Sequence, residues 1–153
     1  MPEFSYARGR ILDSLRYLTE EMREFQDDYA VKTWQDYQTD RKLQKLIDRT
    51  VENILTALIE ICGAFLTEEG IAADSYSDIL KKAGSRLGLT NEEQNNLAGL
   101  AMQRNRLAHR YLNFRWQTIR AYSERSDLIA KVADLLLTRE APPIKEELNN
   151  ENQ

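Results

Sequence analysis

Residues 4–29 read FSYARGRILDSLRYLTEEMREFQDDY. Phe4, Ala7, Ile11, Leu15, Leu18, Met22, Phe25 and Tyr29 follow one another at intervals of 3, 4, 4, 3, 4, 3 and 4 residues. That spacing keeps them on one side of an α-helix for seven turns, whereas a strand, with a period of two, would scatter them over both faces. A long amphipathic helix must bury its stripe against others of the same kind. The chain supplies a second stripe at Leu43, Leu46, Ile47, Val51, Ile54, Leu55, Leu58, Ile61, Cys62 and Phe65, opened by Thr39 or Asp40 as N-cap and ended by Gly70. From Ile54 to Cys62 its apolar arc widens to take in Ile59. Two readings stand for this arc: a core face plus a two-fold contact with a second copy, or a central helix surrounded by its own chain.

The remaining elements follow the same logic. Ala30 to Asp40 is polar and aromatic and reads as a connector with at most one short helix. Ser75 or Ser77 opens a short helix through Ile79, Leu80, Ala83 and Leu87, stopped at Gly88. Thr90-Asn91-Glu92-Glu93 is a capping box, and its helix carries Leu97, Leu100, Ala101, Leu107 and Ala108. A last helix is expected from about Phe114 to Thr138, weakest near Ser123–Ser126. The fold class is therefore all-α, an up-and-down helical bundle in one domain over residues 1–139. The acidic stretch 140–153, with Pro142 and Pro143 and little apolar content, is expected to be a disordered tail.

Composition agrees and excludes several functions. The chain of 153 residues has 20 leucines against 3 valines, the balance of a helical protein. One cysteine, Cys62, and one histidine, His109, rule out a disulfide framework and a multi-histidine metal site within one chain, and no cofactor is expected. No apolar run approaches the roughly 18 residues of a membrane span, and the first ten residues lack a signal peptide's apolar stretch. A cytoplasmic protein, with no membrane partner, is the simplest expectation.

The anomaly lies in the Thr90-capped helix. Its apolar phase falls on position 104, which is Arg104, and seven residues later on Tyr111. On an unbroken helix both would face the interior, where an arginine must be paired or face a groove. Between residues 101 and 125 stand Arg104, Arg106, Arg110, Arg115, Arg120 and Arg125 against the single acid Glu124. This local +5 sits in a chain of net charge −4. Tyr111, Phe114, Trp116 and Tyr122 interleave with the arginines. Arginine forks grip phosphates and aromatic rings stack on bases, so the segment reads either as a track for single-stranded RNA or as a solvated face with core aromatics. His109 is the one side chain here whose ordinary pKa suits proton transfer near neutrality. Five residues after Arg104 it points roughly 140° away on an ideal helix. Either the helix ends near Leu107–His109, or the site is assembled between chains.

Arg104-Asn105-Arg106-Leu107-Ala108-His109-Arg110-Tyr111 fits the pattern R-x4-H-x-Y. It resembles the signature of the HepT-type toxins of the HEPN superfamily. Arg49 to Cys62, with the acid Glu60, resembles that family's long central helix, and Ser75 to Leu80 the segment after it. The resemblance spans roughly residues 8–138. It implies a HEPN-type bundle, a homodimer, and a metal-independent endoribonuclease acting on cellular RNA, tRNA or mRNA. It also implies a type VII toxin–antitoxin module whose partner, an MNT-type nucleotidyltransferase antitoxin, neutralises the toxin by transferring AMP from ATP to Tyr111. Metal-free RNA cleavage needs a base for the ribose 2′-OH and an acid for the leaving 5′-oxygen, and a dimer would supply two copies of His109. Arg104 would stabilise the charged transition state. Asn105, Arg106, Arg110 and Tyr111 are the candidate substrate-binding residues. A second function fits the same residues: a non-catalytic helical subunit that binds substrate for a nucleotidyltransferase. A third is a structural homodimer in which Arg104 is a buried ion-pair residue.

Overall fold

The computed structural model describes residues 2–140, with side chains from residue 10 onward, and the segment 141–153 of the expected tail lies outside them. Six α-helices follow in order: α1 (Pro2–Glu24), α2 (Trp34–Thr39), α3 (Arg41–Glu68), α4 (Tyr76–Arg86), α5 (Asn91–Arg106) and α6 (Leu112–Glu140). Among the described residues there is no strand. The last helix runs unbroken through Ser123–Ser126 and takes in Leu112 and Glu140, so it is longer at both ends than its stripe alone suggests.

Local chemistry sets most of the boundaries. Asp40 caps α3 by accepting the amides of Lys42 and Leu43, each at 3.1 Å. Ser75 caps α4 through the Asp78 amide, and Thr90 and Glu93 close the capping box of α5. A second box, Thr33 with Asp36, starts the short helix of the connector. Gly70 (φ +70°) and Gly88 (φ +86°) end α3 and α4. At each the following amide returns to the helix, Ile71 to the Leu66 carbonyl and Leu89 to the Gly84 carbonyl, the paired bonds of a Schellman ending. α1 passes into a π-helical turn, Phe25–Tyr29, closed by the Ala30 amide on the Phe25 carbonyl. The wider turn keeps both rings inside, where Phe25 meets Tyr122 edge-on at 4.8 Å.

α3 is the centre of the bundle, packed by α1, α2, α4, α5 and α6. Its widened arc is consumed by its own chain: Ile54, Leu55, Leu58 and Cys62 are at most 1% exposed and Ile59 is 6% exposed. The expected two-fold contact through these residues is therefore not available, because their surface is already spent on the core. The same burial explains why α3, long and apolar enough by composition to cross a membrane, is a core helix, with 61% of its most apolar window inside the bundle. Removal from water pushes the Cys62 thiol up to about 12, which makes it an inert packing group. Exposed ion pairs tie the helices at the far end: Glu69 engages Arg86 of α4 and Arg139 of α6, and Lys131 of α6 meets Glu93 of α5 at 2.8 Å.

Candidate functional site

α5 stops at Arg106, in the middle of the R-x4-H-x-Y signature, although its apolar phase continues to Leu107. A side chain from α6 sits at the break. The Thr118 hydroxyl donates to the Gln103 carbonyl at 3.0 Å, the acceptor that the Leu107 amide would use in a continuing helix. The Leu107 amide turns instead to the Arg104 carbonyl at 3.2 Å, and the His109 amide to that of Arg106 at 3.1 Å. These tighter i→i+3 bonds bring the chain off the helix axis. The helix end, one of the two arrangements expected for the signature, is present.

The break separates Arg104 from His109 and Tyr111. Arg104 stays on α5, half-buried against α3, with its Nε donating to the Thr56 hydroxyl at 2.8 Å. Its guanidinium lies 5.9 Å from the Tyr76 ring centre. No ion pair with a carboxylate engages it among the described residues, so it is not the buried ion-pair residue of the structural reading. It borders two recesses. One, of about 90 Å³, is shared with Thr56, Ile59, Glu60 and Tyr76, and the other, of about 220 Å³, with Glu52, Asn105, Leu107 and Ala108.

His109, Arg110 and Tyr111 form the α5–α6 loop, and all three are exposed. Tyr111 is 52% exposed, contrary to its expected place on a buried face, because helical phase does not carry across the break. The loop is nevertheless organised. The His109 ring lies 4.9 Å from that of Tyr111 and 4.8 Å from that of Phe114. The Tyr111 amide donates to His109 Nδ1 at 3.3 Å. Arg110 reaches over the Tyr111 ring, with 5.6 Å to its centre. Arg106 donates to the Gln117 side chain at 3.2 Å, and Asn105 is exposed. No hydrogen bond or ion pair joins Arg104 to His109 among the described residues.

Part of the arginine–aromatic segment belongs to the fold instead. Arg115 meets Asp48 of α3 at 2.6 Å, and the Tyr37 hydroxyl donates to the other Asp48 oxygen at 2.6 Å. Trp116 packs 5.1 Å from the buried Tyr37 ring, and Tyr122 is 1% exposed. Burial raises the Asp48 carboxyl above its ordinary value despite the opposing pull of Tyr37 and Arg115. Arg115, Trp116 and Tyr122 therefore leave the candidate RNA track, and Arg104, Arg106, Arg110 and the rings around His109 are the part of it that lies at the signature. Sequence reading missed Thr56, Tyr76 and Asp48. The only local signal for Thr56 was a hydroxyl inside the apolar run Ile54–Ile59.

An all-α bundle that presents an arginine on one helix and a histidine–tyrosine pair on the loop after it is a HEPN-type arrangement. The family model described as ribonuclease HepT-like matches residues 16–133. The chain belongs to this HepT-like ribonuclease family, and membership supports a toxin-type ribonuclease as its general function. Among curated proteins no relative matches.

Proposed function

We propose that the chain is the toxin of a type VII toxin–antitoxin module: a cytoplasmic, metal-independent endoribonuclease that cuts cellular RNA, tRNA or mRNA. The observation that carries this reading is the presence, in one signature, of an exposed, ring-stacked His109 and a half-buried Arg104 that no carboxylate engages among the described residues. An arginine kept on an inner helix face without an acid partner is poorly explained by stability. It is well suited to an anion that arrives with substrate. His109 would act as the acid or base through Nε2, the ring nitrogen that the Tyr111 amide does not engage. One chain offers one such group. The second role falls to His109 of a second copy, so the active form is a homodimer, and its contact involves surface other than the buried arc of α3. Attack of the ribose 2′-oxygen on the adjacent phosphorus, with release of the 5′-oxygen, leaves a 2′,3′-cyclic phosphate. Arg104 would hold the phosphate oxygens, while Asn105, Arg106 and Arg110 would bind the neighbouring strand.

Tyr111 is the proposed AMP acceptor. Its exposure lets an MNT-type nucleotidyltransferase reach the phenol. A phosphodiester placed there, beside Arg110 and against the His109 ring, would occupy the site that RNA needs. Two measurements test the reading. Purified protein should cleave labelled tRNA or mRNA in EDTA. After incubation with ATP and the cognate nucleotidyltransferase, mass spectrometry should place AMP on Tyr111. No cleavage in EDTA, or AMP on another residue, would refute the corresponding part.

A further inference from the structure

Tyr76 is the first residue of α4 and is 55% exposed, yet its backbone is fixed from both sides. Ser75 caps the helix through the Asp78 amide at 3.1 Å, and the Ser77 hydroxyl donates to the Ala98 carbonyl of α5 at 3.1 Å. Asp78 accepts from the Asp74 amide at 3.0 Å and pairs with Lys82 at 3.0 Å. The segment that carries the ring is thus pre-organised, and little backbone ordering is left to lose when a ligand stacks on it. The ring forms one wall of the recess of about 90 Å³ whose other lining residues are Thr56, Ile59, Glu60 and Arg104. Thr56 is engaged by Arg104, and Ile59 is buried beneath. Glu60 is exposed at the mouth, and its carboxylate makes no hydrogen bond or ion pair with the described residues.

A carboxylate repels phosphate, so an RNA strand lying at this recess must offer it donors. The donors of a strand are the 2′-hydroxyls and the N–H groups of base edges. Guanine alone presents two adjacent donors, N1–H and N2–H, which match the two oxygens of a carboxylate. Adenine and cytosine set an acceptor next to their amino group, and uracil flanks one N–H with two carbonyls. The recess is too small for a whole purine, so the base would lie on the ring and direct only its edge inward. We propose that Tyr76 and Glu60 form a guanine subsite: the ring stacks on the base, the carboxylate reads its N1/N2 edge, and the base is seated beside the phosphate held by Arg104. The proposal rests on the RNA-binding role of Arg104 given above. It adds a base preference, with Glu60 and Tyr76 as specificity residues.

The test uses the full chain carrying His109→Ala, which binds without cutting. Fluorescence anisotropy in EDTA compares single-stranded UUGUU with the same pentamer bearing inosine or adenine at the centre. Guanine should bind about tenfold more tightly than adenine, with inosine, which lacks the N2 amine, between them. Glu60→Gln should bring guanine and adenine to within about twofold of each other. Tyr76→Ala should weaken every pentamer about tenfold, and Tyr76→Phe should restore binding. Equal binding of guanine and adenine, a preference that survives Glu60→Gln, or no binding to any pentamer overturns the proposal. Guanine-selective binding by a wild-type protein that cuts no RNA would sustain the subsite while refuting the nuclease. Cleavage with no base preference would do the reverse.

Discussion

Arg115 and Arg104 come from the same arginine-rich segment, and the bundle uses them in opposite ways. Arg115 is locked to Asp48, which also receives the hydroxyl of Tyr37, whose ring packs with Trp34 and Trp116. Arg104 has one hydroxyl from Thr56 and one ring from Tyr76, and it faces two recesses. The first arginine closes the fold by tying α6 to α3. The second is left with unused hydrogen-bonding capacity toward an open space. Density of arginines in a sequence does not distinguish these roles. The carboxylate across the helix interface does.

The contrast breaks most visibly on removal of that carboxylate. Asp48→Ala leaves the Arg115 charge buried without its partner and should destabilise the protein by about 3–5 kcal/mol. Urea unfolding measures this, and a loss below about 1 kcal/mol would mean that the pair does not hold the bundle. Burial works against the Asp48 charge and raises its carboxyl despite the pairing with Arg115 and Tyr37. Replacing Asp48 and Arg115 together by leucine should accordingly lose much less stability than Asp48→Ala alone.

Arg104→Ala should show the reverse pattern. Cleavage in EDTA should fall by about 10²–10³-fold, the usual loss for a group that stabilises transition-state charge. Unfolding should move by no more than about 1.5 kcal/mol, because one hydrogen bond to a hydroxyl and one contact with the half-exposed Tyr76 ring are lost. A large stability loss with intact cleavage would make Arg104 another Arg115.

Thr56→Val sharpens the comparison with a smaller effect. It removes the acceptor that aims the Arg104 fork and should reduce cleavage by about threefold to tenfold, the equivalent of one hydrogen bond. Unfolding should be nearly unchanged, and unchanged cleavage would show that Arg104 needs no such aid.

The smallest effect is on pH dependence. Hydrogen bonds from Arg86, the Asp74 amide and Lys131 hold the carboxyls of Glu69, Asp78 and Glu93 below their ordinary values of 4.5, 3.8 and 4.5. A lowered carboxyl contributes stability that is present above its ordinary value and lost as pH falls through the lowered one. Thermal unfolding should therefore drop modestly below about pH 4.5, with Glu69→Gln flattening part of the decline. A decline unaffected by Glu69→Gln would assign it to other groups.

Much of the fold was legible because its signals are local. The stripes of α1 and α3, the caps at Asp40, Ser75 and Thr90, and the stops at Gly70 and Gly88 each depend on residues within a few positions of one another. What could not be read depends on distant partners. The end of α5 has no glycine or proline to mark it, and the hydroxyl bonded to the Gln103 carbonyl there comes from Thr118 of α6. Asp48 and Arg115 are 67 residues apart, so nothing near either one separates a paired arginine from a free one. The wide arc of α3 looked the same whether its own chain or a second copy filled it. Only the three-dimensional packing assigns it to the core. In the candidate site the signature residues were recognisable by spacing. Their division between a helix and a loop, and the supporting Thr56 and Tyr76, were not.

The most direct test is the rate of labelled RNA cleavage by wild-type protein and by His109→Ala, both in EDTA and both shown to unfold at the same denaturant concentration. The exposed histidine carries little of the packing, so the variant should stay folded while its rate falls by at least about 10²-fold, and wild-type products should end in 2′,3′-cyclic phosphate. Equal rates for the two proteins, or wild-type cleavage that appears only when Mg²⁺ is added, would contradict the proposed function.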